Sequence, residues 1–160
     1  MAVNKVAEEV IRLDINLSQL KRNYDVISKL LKPGVRFMAV VKGNAYGHGL
    51  VPIAMALVEF GCRSLGVVRI TEAIALRDAG IQIPVVMLAP IMLSQTEDAV
   101  KLDLTLMLDN ERIAEELNKF AKQYHKKVKV HIKVNTGLNR FGIEPEKVSE
   151  FIQSISRKYD

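Results

Sequence analysis

Val35-Arg36-Phe37-Met38-Ala39-Val40-Val41-Lys42-Gly43-Asn44-Ala45-Tyr46-Gly47-His48-Gly49 is an apolar run that ends in a lysine and passes into a glycine-rich loop. The run reads as a strand over 35–41 that delivers Lys42 to its carboxyl end, where open and closed α/β folds alike place their ligands. Gly43, Gly47 and Gly49, with Asn44, allow backbone conformations that a branched residue resists, and they let the main chain come close to a ligand. Desolvation at a strand end lowers a lysine's pKa and frees its amine to act as nucleophile or base. On the residues alone, a solvated surface lysine is an equally good reading.

Outward from this stretch, strands and helices alternate. Upstream, Leu17, Leu20, Tyr24, Ile27, Leu30 and Leu31 recur at helical spacing, Asn16 or Ser18 can cap that helix, and Pro33-Gly34 stops it. Before it, residues 11–16 alternate as a short strand does. Downstream the pattern predicts helices over 51–60, 71–79 (capped by Thr71), 94–101, 111–124 and 145–155. Between them it predicts strands over 64–68, 84–88, 104–108 and 128–134. Such alternation argues for parallel strands joined by crossover helices. Five strands suit a complete open doubly wound sheet, or the first part of a (β/α)8 barrel of about 250 residues. Periodicity alone does not choose between them.

Two strands lean toward the barrel, because strands covered by helices on both faces are apolar on both. Over 128–134, Val128, Val130, Ile132 and Val134 share one face, and Lys129, His131 and Lys133 share the other. The first strand repeats the pattern more weakly, with Phe37, Ala39 and Val41 against Arg36, Met38, Val40 and Lys42. A polar face suits a barrel interior, whereas the competing explanation is an edge strand with one solvated face.

Length and composition set the outer limits. With 160 residues, 49% hydrophobic and 26% charged, the chain suits one globular domain with a real core. Its net charge of +5 would permit an anionic partner, but acidic residues are interspersed with the basic ones, so a solvated surface is expected rather than a nucleic-acid interface. The single cysteine, Cys62, has no partner for an internal disulfide, and no Cys/His cluster suggests a metal site. Charges interrupt the apolar residues of the first 17 positions, and no stretch reads as a membrane span, which leaves the cytoplasm as the expected location. No strand is followed by a GxGxxG or GxxxxGK[ST] loop, so an open-sheet nucleotide-binding module lacks its signature.

Ala39-Val40-Val41-Lys42-Gly43-Asn44-Ala45-Tyr46-Gly47-His48-Gly49 resembles the cofactor-attachment motif of the alanine racemases, enzymes dependent on pyridoxal 5'-phosphate (PLP). Only Gly43 departs, where alanine is usual. A second stretch, HIKVNTGLNRFGIEP from His131 to Pro145, is similar to the family's later motif of the form KxDTGMxRxG. Between them, RITEAIALRDAGIQIPVVMLAP is similar to a further family region, and the resemblance extends over essentially the whole chain.

The resemblance implies the N-terminal part of a PLP-binding (β/α)8 TIM-type barrel, with about five βα units present. It also implies racemisation between L-alanine and D-alanine, the latter supplied to bacterial peptidoglycan. Lys42 would hold PLP covalently and act as the base on one side of the substrate. Tyr46 resembles the tyrosine that hydrogen-bonds the cofactor phosphate. Arg140 matches the arginine that faces the cofactor's phenolic oxygen and orients the substrate carboxylate, a task for a fixed fork of donors. Lys133 falls where the family has a lysine often carboxylated by carbon dioxide, and either state stays open. His48 is expected to brace the loop by hydrogen bonds, and Gly137 and Gly142 to be conformational.

Asn135 stands where aspartate is usual, and Leu138 and Asn139 replace commoner residues beside Arg140. Serine or a broader range of amino acids therefore remains an alternative substrate class, as does a non-catalytic PLP-binding barrel protein. The family's second base, a tyrosine, comes from the C-terminal domain of a partner subunit in a homodimer. The 160 residues correspond to the N-terminal portion of the barrel domain, without that C-terminal β domain, so the expectation is a fragment inactive alone.

Overall fold

The computed structural model describes residues 13–159, and five parallel strands run through it: β1 (Ala39–Val40), β2 (Leu65–Val67), β3 (Val85–Met87), β4 (Leu104–Leu108) and β5 (Val130–Ile132). The helices are α1 (Leu17–Leu30), a single turn α2 (Lys42–Tyr46), α3 (Leu50–Glu59), α4 (Ile70–Asp78), α5 (Thr96–Lys101), α6 (Glu111–Gln123) and α7 (Val148–Lys158). Short 3-10 turns, Leu93–Gln95 and Pro145–Lys147, lead into α5 and α7.

Strand order makes the choice that periodicity could not. The sheet runs β1-β2-β3-β4-β5, each strand beside and parallel to its predecessor. A doubly wound sheet reverses its winding at one strand and so carries helices on both faces. This sheet never reverses, and crossovers of one hand collect their helices on one face. The helices accordingly pack side by side, α1 on α3, α3 on α4, α5 on α6 and α6 on α7. This is the winding of a (β/α)8 barrel, and five units of it are here.

Alternation along the strands places the core. Ala39, Val41, Leu65, Val67, Val85, Met87, Leu104, Leu106 and Leu108 point toward the helices and join one buried cluster, against which Val128 and Ile132 of the fifth unit also pack. The intervening residues Val40, Gly66, Val86 and Thr105 stand in register across β1 to β4 and line the opposite face. Gly66 is small for a reason: a Cβ there would lie 2.8 Å from Leu88 Cδ1 and 3.5 Å from Val40 Cγ2. Neighbouring strands close over it, as a glycine in a strand interior often signals.

Apart from the strand expected over 11–16, the predicted elements are found, with shorter ladders and some changed ends. Pairing of β1 starts only at Ala39, while Phe37 instead packs edge-to-face on Tyr24 at 5.0 Å between ring centres. Asn16 caps α1, accepting from Gln19 N at 2.9 Å. Of the α1 stripe, Leu20 and Tyr24 meet the core, but Leu17, Ile27 and Leu30 are exposed. Thr71 does not cap α4, which begins one residue earlier behind Arg69. Of the strand expected over 11–16, residues 11 and 12 lie outside the described residues and 13–16 are irregular. At the amino ends of the strands, Arg77 binds the carbonyls of Ile81 (2.7 Å), Leu102 (2.9 Å) and Ile83 (3.0 Å), a structural clip whose burial lowers the arginine pKa. Among the described residues no helix is long and apolar enough to cross a membrane.

Candidate active site

At the carboxyl end of β1 the chain leaves the sheet through a turn wound the wrong way. Gly43 (φ 63°), Asn44 (φ 56°), Ala45 (φ 52°) and Tyr46 (φ 55°) are all left-handed, and Gly47 follows at φ 89°. For a non-glycine residue that region costs about 1–2 kcal/mol, so three in succession need compensation. The surroundings supply it. Ala45 N donates to Val41 O (2.8 Å), Gly47 N to Gly43 O (3.1 Å) and Leu50 N to the Asn44 side-chain oxygen (2.7 Å). Ala45 itself is in the core, and His48 Nδ1 lies 2.7 Å from Ala45 O. A carbonyl only accepts, so Nδ1 carries the proton and His48 braces the loop, as the sequence reading expects.

The turn presents Lys42 half-buried at its start and Tyr46 63% exposed at its end, with no hydrogen bond from either side chain to any described residue. A third anchor, missed in the sequence, is Glu72. Its buried carboxylate accepts from Gly43 N at 2.6 Å through Oε1, and from Val68 N at 3.0 Å and Arg69 N at 3.1 Å through Oε2. The legible signal was an acid in the first helical turn after a strand, half of a capping box. The bond to Gly43 spans 29 residues, which no local pattern reveals.

Lys133 and Arg140 follow β5, at the same end of the sheet but on its far edge. Four strand spacings of about 4.8 Å separate the two edges by roughly 19 Å along the sheet, so Lys42 and Tyr46 share one loop and Lys133 and Arg140 flank another, and no contact joins the two pairs. Lys133 is half-buried, with Nζ 3.4 Å from Val134 O and 5.8 Å from the Phe141 ring centre, and it pairs with no described acid. Arg140 is exposed and bonds to no described residue.

The loop carrying Arg140 closes on itself. Val134 and Ile143 form a bridge, with Asn135 N donating to Ile143 O and Ile143 N to Lys133 O, both 2.8 Å. Asn135 fills the loop: its amide donates to Asn139 Oδ1 and Glu144 Oε1 (both 2.8 Å), and its carbonyl accepts from Asn139 N (3.1 Å) and Gly137 N (3.2 Å). Gly142 is required where it stands, since at φ +117° a Cβ would lie 2.9 Å from Asn135 N and 3.0 Å from Val134 C. Gly142 N also donates to Asp109 at the end of β4 (3.0 Å).

A serially wound parallel sheet, with lysine, tyrosine and arginine gathered on the loops at its carboxyl end, defines a (β/α)-barrel domain with its ligand site at that end. Residues 15–159 match the family model described as alanine racemase, N-terminal domain, and the chain belongs to that family. It is 50% identical over 158 residues to alanine racemase 2 of Clostridium acetobutylicum, covering 99% of this chain and 40% of that protein. Among solved structures, alanine racemase of Clostridium difficile 630 superposes with a TM-score of 0.82 at 35% identity, covering 87% of this chain and 37% of that one. A histidine racemase from Leuconostoc mesenteroides superposes with a TM-score of 0.79 at 28% identity, covering 88% of this chain and 38% of that one. The chain thus spans about two fifths of the length of the relatives it matches.

Proposed function

We propose that this chain is the lysine-bearing part of a PLP-dependent alanine racemase, with Lys42 the residue that holds the cofactor. The observation that carries the reading is an amine at the carboxyl end of β1, half-buried, unpaired with any described residue, and carried at the head of a strained, hydrogen-bonded turn. The donor set fits PLP: an amine for its aldehyde, the exposed Tyr46 hydroxyl for its phosphate, and an unengaged guanidinium, Arg140, for its phenolic oxygen and the substrate carboxylate. When bound, PLP draws electrons from the α-carbon of an amino acid and makes its proton removable.

Once the substrate's own amine has displaced it from the cofactor, Lys42 Nζ takes and returns that proton on one side. Tyr46 and Arg140 hold their partners in place at the two edges of the site. Lys133, beside the Arg140 loop, is the candidate for carboxylation. The second base, on the opposite side, belongs to a partner subunit in a homodimer of the whole protein, which on this reading is cytoplasmic and supplies D-alanine for the cell wall. The chain itself is the N-terminal portion of the barrel domain, inactive alone.

The test is spectroscopic and catalytic. Full-length protein with PLP should show the visible band of a lysine-bound cofactor and convert L-alanine to D-alanine, and Lys42→Ala should abolish the band and lower turnover at least about 1,000-fold. A band that survives Lys42→Ala would sink the assignment. Asn135, Leu138 and Asn139, together with the likeness to a histidine racemase, favour a second reading in which the substrate is a different or broader set of amino acids. Comparing kcat/KM for alanine, serine and histidine decides between them.

A further inference from the structure

We propose that Glu72 is the positioning residue of the Lys42 loop, an inference that rests on the reading of Lys42 as the cofactor-bearing residue. Its side chain is 7% exposed, and its hydrogen-bond partners among the described residues are three backbone amides. Two of them, Val68 and Arg69, lie at the exit of β2 and the entry to α4, where the helix dipole also favours an anion. The third, Gly43, directly follows Lys42. One carboxylate therefore ties the carboxyl ends of β1 and β2 together at the point where the lysine leaves the sheet.

The task needs a carboxylate of this length. Both oxygens accept and neither donates, which suits a site whose neighbours are all donors. Glutamine, of the same volume, sets an NH2 against an N–H on one side, so it can serve Gly43 or the Val68–Arg69 pair but not both. Aspartate is a methylene too short to span the gap. The left-handed run begins at Gly43, and backbone of that kind persists only while its surroundings over-determine it. Releasing the Gly43 amide frees the first residue of the run and, with it, the direction of the Lys42 side chain.

Three measurements on full-length Glu72→Gln, with Glu72→Asp alongside, test this. Amide hydrogen exchange without cofactor should quicken about tenfold or more over residues 43–47, while β4 and α6 stay protected. The visible band of lysine-bound PLP should titrate at lower pH, because a nearby negative charge has gone. Turnover should fall about 10- to 100-fold with KM changed less than about threefold. Uniformly faster exchange, with an unmoved band and an unchanged kcat, would overturn the proposal and leave Glu72 a stability residue. Unchanged exchange over residues 43–47 would overturn it as well. Should wild-type protein take up no PLP, the reading of Lys42 falls, and the exchange measurement still decides the tether.

Discussion

Lys42 and Arg140 leave the same end of one sheet through loops held by opposite means. The Lys42 loop is anchored inward: Ala45 is core, Glu72 is buried, and the strain of three left-handed non-glycine residues is offset by bonds to neighbouring backbone. The Arg140 loop is anchored mainly to itself, by a half-buried asparagine and a two-residue bridge, with one bond outward from Gly142 N to Asp109. A group that must be aimed within a fraction of an ångström profits from the first arrangement. A flexible cation that meets an anionic ligand tolerates the second.

Three substitutions would break or sharpen that contrast. Gly142→Ala has the largest expected effect, because its Cβ meets backbone rather than a movable side chain. The Val134–Ile143 bridge must open, at a cost of about 2–3 kcal/mol, read as a lower Tm and fast exchange over residues 133–143. If that exchange stayed slow, the loop would not depend on its bridge.

Asn135→Asp comes next. It replaces a donor with a carboxylate facing Glu144, so the pair's pKa rises above the ordinary carboxylate range. The folded-state pKa being raised, the loop is intact when the pair shares a proton and loosens as pH climbs through about 4–6. At neutral pH the loss is about 1 kcal/mol, and it should vanish on acidification. A loss independent of pH would show that the Asn139 contact, not Glu144, matters.

Gly43→Ala has the smallest effect expected. At φ +63° an alanine is mildly strained, yet nothing lies within 4 Å of its Cβ, and a less flexible unfolded chain offsets about 0.4–1 kcal/mol. Tm should move by less than about 3 °C. A large drop would mean that the turn cannot bear one more left-handed non-glycine residue.

Periodicity was enough to order the strands and helices, since buried β4 and capped α6 obey local rules closely. It was not enough for the winding direction, which depends on which strands pair. Nor did it reach the left-handed turn: the glycines announced freedom, but Asn44, Ala45 and Tyr46 adopt positive φ inside a locally bonded turn whose first residue, Gly43, is held by Glu72, 29 residues away. The lysine, tyrosine and arginine were visible through their motifs. Glu72 and the Asn135–Glu144 contact were not, because each is defined by a partner that sequence spacing does not single out.

Serial winding also has a kinetic consequence. Every strand pairs with the one just before it, so the chain never waits for a distant segment to close a ladder. During synthesis the Lys42 turn needs only the next βα unit, 29 residues on, to be locked by Glu72. This run of left-handed residues can thus be set early, before the loop that bears Arg140 has been made.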